Sequence, residues 1–239
     1  MTATVDSDAG PVLFARYAFP PHELGYCGPT DVDTELELGQ RAREFDGAWP
    51  YLAALAKAGG FENPMDARIV EAYWIGGELL DRVDPKALLD HLRPVFAHQN
   101  PGALGDVESA VAHHSFHVLA VYPWVRLLAV DPVTPLAILQ KCRIRWGKVM
   151  AVDEDHATVE TRPLEFDGNT LSLGEPSPER IRWRSPNRSL IGPPRVGLSV
   201  SAHWGWICDR LDSAEVSALS AATERSLALV NAVLIQRRS

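Results

Sequence analysis

The chain has 239 residues, 46% of them apolar, with 23 Lys+Arg against 31 Asp+Glu and three cysteines. That apolar share is too high for a disordered chain and suffices for a sizeable core, in one large domain or two small ones. Three thiols cannot build a disulfide scaffold, and a net charge of -8 lacks the basic field that non-specific nucleic-acid binding needs. The first ten residues hold neither a basic run nor an apolar run, so residues 1–10 are expected to be a short disordered tail and not a leader peptide. No stretch approaches roughly 18 uncharged apolar residues, so no membrane partner and a cytoplasmic location are expected.

The chain changes character near residue 135. Residues 1–140 hold 9 Lys+Arg against 19 Asp+Glu, and residues 141–239 hold 14 against 12. The first part reads as helical over residues 11–135. A helix is expected over residues 34–45, before Gly47, Pro50 and the Gly59–Gly60 pair interrupt the pattern. Asn63-Pro64-Met65-Asp66 reads as a helix start with Asn63 as cap, carrying Ile69, Val70, Tyr73, Trp74 and Leu80 at helical spacing. Asp84-Pro85 opens another helix with Leu88, Leu89, Leu92 and Val95. A further apolar helix is expected from Val107 toward Val130, kinked or ended by Pro123.

Pro132 and Pro135 mark the junction, and residues 136–239 read as strands followed by one helix. Ile144, Val149 and Val152 lie in a β-rich run, followed by 157–161. Asp167-Gly168, between Leu164–Phe166 and Thr170–Leu173, is a hairpin signal. Val196 to Trp206 is a further strand candidate. Asp212-Ser-Ala-Glu215 resembles a capping box that opens a helix with Val216, Leu219, Leu227, Val230 and Leu234 near one stripe. Short strands, tight turns and a closing helix suggest a small OB-like barrel. The expected fold is therefore α+β: an N-terminal all-helical domain, then an OB-like β-barrel with a C-terminal helix.

Two segments of the second part carry chemistry. The first is Cys142-Arg-Ile-Arg-Trp-Gly-Lys-Val149, and the second is Arg195-Val-Gly-Leu-Ser-Val-Ser-Ala-His203-Trp-Gly-Trp206. Their order and spacing resemble the HypC/HybG/HupF family of nickel–iron hydrogenase maturation chaperones, over roughly residues 140–235. Cys142, Ile144, Gly147 and Val149 match the opening motif, and Val196, Gly197, Val200, His203, Gly205 and Trp206 match the later one. The resemblance implies a non-enzymatic accessory protein that transiently holds an Fe(CN)2CO fragment through Cys142, with His203 nearby. It also implies a hydrogenase large subunit or a HypD-like maturation protein as partner. Independently of the family, a thiolate is the soft ligand that low-spin iron prefers, and an imidazole could coordinate or orient it. Arg143, Arg145 and Lys148 flank Cys142 and are expected to lower its pKa. Trp146, Gly147, Trp204, Gly205 and Trp206 are the expected pocket residues around Cys142 and His203.

Further candidates lie in the helical part. His113, His114 and His117 give i,i+4 and i,i+3 pairs, as metal ligands on helices do, without the acidic base of a zinc protease. Cys27 lies in the Gly/Pro turn Leu24–Pro29, and Cys208 reads as core. A metal- or haem-binding protein that combines Cys27 and these histidines with Cys142 is the alternative reading. A structural interaction module with a degenerate barrel is the third.

Overall fold

The computed structural model describes residues 8–32, 34–99 and 102–237. Helices come first, a mixed sheet follows in the C-terminal half, and a long helix closes the chain. The expected tail over residues 1–10 falls mostly outside the described residues, but Ala9 and Gly10 already belong to the first helix.

That helix, α1 (Ala9–Glu23), is the largest departure from the sequence reading, which placed no helix there. Pro20 and Pro21 lie inside it and obscure the pattern, yet Phe14, Tyr17 and Ala18 are buried at helical spacing. α2 (Glu35–Gln40) is shorter than expected, and a 3₁₀ turn at Ala42–Glu44 completes the 34–45 stretch. α3 spans Trp49–Gly59 and ends on Gly60 in the left-handed conformation. α4 (Ala67–Trp74) is capped by Asp66, which accepts from the Arg68 N–H, and not by Asn63. It stops before Leu80 because Gly76 and Gly77 adopt φ 112° and 117°. α5 (Pro85–Val95) starts as expected, with Asp84 accepting from Lys86 and Ala87.

No single helix runs from Val107 to Val130. An irregular stretch precedes α6 (His114–Phe116), a π-helical turn follows at His117–Val121, and α7 (Trp124–Leu127) begins after Pro123. Every residue from Ala110 to Val121 is buried, so the chain here follows the surrounding packing and has no solvated helix face. The stretch placed at a domain junction is instead α8 (Val133–Cys142).

The strands are β1 (Arg145–Val152), β2 (His156–Thr161), β3 (Leu164–Phe166), β4 (Leu171–Leu173), β5 (Ser177–Arg182), β6 (Arg184–Ser185), β7 (Arg188–Ser189), β8 (Ser199–His203) and β9 (Trp206–Leu211). The main sheet runs β1-β2-β5-β9-β8, and β8 pairs back onto β1. Its pairings are antiparallel except β5–β9, which is parallel and one residue pair long, Arg182 with Trp206. β3 and β4 form the expected hairpin around Asp167-Gly168. The candidate strand 196–206 divides into β8, a turn at Trp204–Gly205, and the start of β9. The capping box is present: Asp212 accepts from Ala214 and Glu215, and Glu215 accepts from the Asp212 N–H.

α9 (Ser213–Gln236) is 24 residues long and apolar enough, at a mean hydropathy of 1.3, to meet the length and composition of a membrane span. The sequence reading had excluded any such stretch. Leu219, Leu227, Val230 and Val233 of this helix are buried in the core, against α6 and the π-helical turn.

One apolar core joins both parts of the chain. It includes Phe14, Tyr51, Trp74 and Phe116 from the helices, Trp206 and Cys208 from β9, and Leu219 and Val230 from α9. A smaller core inside the sheet holds Val149, Val159, Ile181, Val200 and Ile207. β2 alternates as a half-buried strand should, with Ala157, Val159 and Thr161 inward. Gly147 pairs with Thr161 and Val200, and a methyl group there would run into the Glu160 carbonyl. Gly147→Ala should therefore cost about 2 kcal/mol through overpacking, and an unchanged urea midpoint would refute this account of β1.

Candidate metal centre

α8 ends on Cys142, so the thiol closes a helix; it does not open a strand. β8 ends on His203, and α6 begins on His114. These three ends converge: Cys142 Sγ and one ring nitrogen of each histidine lie within 4.8 Å of one another, all buried. The His114 and His203 ring centroids are 5.0 Å apart at 76°.

Backbone carbonyls fix the rings. His203 Nδ1–H donates to the Tyr17 carbonyl at 2.7 Å, and His114 Nε2–H donates to the Cys142 carbonyl at 3.0 Å. Such carbonyl bonds set which nitrogen keeps its lone pair, as the outer partners of metal-bound histidines do. The lone pair of His203 is then on Nε2, which is buried and makes no hydrogen bond of good geometry, although the Cys142 carbonyl is near enough to favour a proton on the ring. The Tyr73 hydroxyl stands 3.1 Å from both His114 Nδ1 and the Gly47 carbonyl, and its single proton serves one of them.

Burial dominates the electrostatics. It pushes His114 down to about 4 and His203 well below its ordinary value, and the His114–His203 repulsion lowers His203 further. Both rings are neutral near neutral pH, as ligands must be. Burial also pushes the Cys142 thiol well up, with Cys27 adding to the effect, while Arg145 and the Trp204 indole oppose it weakly. The expected depression by Arg143, Arg145 and Lys148 therefore does not occur. Arg143 is engaged by Gln140 Oε1 and the Arg162 carbonyl, Arg145 by Glu179 and three carbonyls, and Lys148 is exposed on β1.

A cavity of about 320 Å³ opens onto this cluster. Besides Cys142, His114 and His203, its walls include Cys27, His117, Tyr73, Trp74 and Tyr122. His117 Nδ1 lies 3.3 Å from the Tyr51 hydroxyl, and its Nε2 is buried without a partner. His113 takes no part. Its Nδ1 accepts the Ser115 N–H and caps α6, so its proton is on Nε2, away from the cluster. Burial pushes His113 and His117 down to about 3.

The expected pocket residues do not line the cavity. Trp146 packs under Arg143, with the guanidinium 6.0 Å from its ring. Gly147 belongs to the β1–β2 contact. Trp204 stacks on Tyr26 at 4.7 Å, Gly205 completes the turn, and the Trp206 indole donates to Glu23 at 2.8 Å. Cys208 is core, as expected. The sequence reading missed Tyr17, Tyr73, Trp74 and Tyr122. Tyr73 and Trp74 were visible as apolar positions of α4, but nothing local marked them as cavity walls.

Residues 6–237 match a family described as a family of unknown function, DUF6390. The chain belongs to this family. No curated protein and no solved structure matches it. The His114, Cys142 and His203 cluster therefore lies within the span shared by DUF6390 proteins.

The buried histidines predict a pH dependence of the metal-free protein. Each ring takes up a proton more readily unfolded than folded, so stability is present above about pH 6.5 and is lost as pH falls toward about 4 for His114 and about 3 for His113 and His117. Glu35 and Glu71, whose carboxyls burial raises, act in the opposite sense. Between about pH 7 and pH 5, each ring that stays neutral should cost about 2 kcal/mol of stability. Urea unfolding at both values measures it, and a flat profile would contradict neutral buried rings.

Proposed function

We propose that the protein is a non-enzymatic accessory factor of nickel–iron hydrogenase maturation, holding an iron–ligand fragment at Cys142 with His203 and His114 beside it. One observation carries the metal-binding core of this reading: His203 Nε2 is a buried lone pair without a hydrogen bond of good geometry, within 4.8 Å of a thiol and a second imidazole. An unsatisfied buried acceptor is costly, and the lowered proton affinity of the ring leaves a cation or an ordered water to satisfy it. One sulfur and two nitrogens form a borderline-soft donor set that suits Fe(II), Co(II) or Zn(II). Three protein donors leave a coordination position toward the cavity, as a site that handles exogenous ligands requires. The cargo would exchange for the proton on Cys142.

The maturation role rests on the paired Cys142 and His203 motifs, and the strand ring β1-β2-β5-β9-β8 agrees with an OB-like barrel. The partner on this reading is the hydrogenase large subunit or a HypD-like protein, and the compartment is the cytoplasm. The burial of all three donors also favours a second reading, a resident metal that never leaves. Metal analysis of the anaerobically purified protein separates the two, since a resident ion would be stoichiometric as isolated.

Under anaerobic conditions the metal-free protein should bind Co(II) or Fe(II) in about a 1:1 ratio, and Cys142→Ala should weaken binding by at least about tenfold. A strain carrying Cys142→Ala should accumulate immature large subunit. Normal hydrogenase activity in that strain would sink the maturation role, and undiminished metal affinity would remove Cys142 from the site.

A further inference from the structure

Cys142, His114 and His203 are buried, so a cation reaches them through the cavity. Two further donors on its walls remain unused by the inner cluster. Cys27 is half-buried in a turn between Gly25 and Gly28, whose φ values of 73° and 86° suit glycine. This turn presents the thiol to the cavity, and its neighbour Tyr26, also on the cavity wall, is stacked on Trp204 with the planes 14° apart. Cys27 Sγ is 3.9 Å from the Tyr122 hydroxyl, and the Tyr122 ring lies 4.8 Å from the His117 ring. One aromatic side chain thus touches both donors.

His117 supplies the second, independent observation. Its Nε2 is buried, lines the cavity and has no hydrogen-bond partner. Gly47 leaves space beside it, since a methyl group there would stand 2.8 Å from that nitrogen. The exposed carboxylate of Asp46 shares this side of the cavity and favours a cation.

We propose that Cys27 and His117 form an outer receiving site for a borderline-soft divalent cation, which then passes inward to Cys142, His114 and His203. The proposal rests on the metal-binding reading above. No electron moves in the transfer. Cys27 releases its thiol proton to solvent when the cation binds. As the cation moves inward, the Cys27 sulfur–metal bond breaks and a Cys142 sulfur–metal bond forms, while Cys142 releases its proton and Cys27 takes one back, so this step leaves the number of S–H and of sulfur–metal bonds unchanged. A thiolate is soft enough to compete for such a cation.

Stopped-flow loading of the metal-free, full-length protein with Co(II) tests this, read by thiolate-to-cobalt absorption. The wild type should load in two phases. Cys27→Ser should remove the fast phase and slow loading by about tenfold or more, with the equilibrium affinity unchanged. Gly47→Ala, which keeps both thiols but crowds His117 Nε2, should also slow loading. Equal rates in the wild type and both variants would overturn the proposal. So would a Cys27→Ser affinity loss as large as that of Cys142→Ala, because Cys27 would then be a resident ligand. A wild type that binds no Co(II) would instead bring down the metal-binding reading, and this proposal with it.

Discussion

Arg145 is 1% exposed, and its guanidinium donates to the Gln140 and Lys141 carbonyls at 3.2 and 2.9 Å and to the Trp204 carbonyl. The first two belong to the last turn of α8, where a helix leaves its carbonyls without intrahelical partners and its dipole favours a cation. Cys142 ends that turn, and His203 precedes Trp204. One buried charge therefore ties the end that carries the thiol to the end that carries the imidazole. The Trp204 N–H adds a second tie, to the Lys141 carbonyl at 2.8 Å. Among the described residues Trp204 is the one non-glycine with positive φ, at 50°, and these bonds hold it in that sparsely populated conformation. Glu179 on β5 balances the charge at 3.0 Å and accepts the Thr161 hydroxyl, so the sheet anchors the whole arrangement.

The same geometry explains why the basic residues beside Cys142 do not activate it. Arg143 points at the Gln140 side chain and the Arg162 carbonyl, and burial together with Arg145 pushes it down to about 9. Two guanidiniums next to a cysteine in sequence are here structural clamps, and the thiol faces the buried imidazoles of His114 and His203. A reactive cysteine needs an exposed, electropositive setting. Cys142 has neither, so it stays protonated until something displaces the proton, which is the behaviour of a ligand and not of a nucleophile.

The strands, the hairpin at Asp167-Gly168, the capping box at Asp212 and α5 were legible because each is set by local rules: alternation, turn chemistry and caps. The helical part was less legible. α1 hid behind Pro20-Pro21, and the stretch 107–130 hid its breaks because its centre, residues 110–121, is buried on every side, so no polar face marks a period there. At the site, the sequence singled out Cys142, His203, His114, Cys27 and His117, which the fold gathers around one cavity. It could not separate His113 from His114, because the difference is a cap: His113 turns its Nδ1 to the Ser115 N–H and leaves the cluster. Nor could it reveal Tyr17, whose contribution is a carbonyl that any residue possesses.

The charge asymmetry of the chain acquires a physical meaning in how the two parts meet. Glu23 pairs with Arg182 at 2.9 Å, Glu35 with Arg188 at 3.4 Å and Asp81 with Arg225 at 2.8 Å, acidic helices against a basic second half. Half-exposed pairs of this kind contribute little individually. The shared apolar core holds the parts together, and the charges select which faces meet. The cavity is walled mostly by the helical part, and Cys142 of α8 and His203 of β8 close its inner end. Tyr17 of α1 orients His203, Tyr73 of α4 sits against His114, and the 24–32 turn brings Cys27 to the same space. α8 and β8 bring Cys142 and His203 together through the Arg145 and Trp204 bonds. The acidic helical part supplies the carbonyl that fixes one imidazole, the second imidazole itself, and the burial that keeps both neutral, so the donor set exists only where the two parts meet.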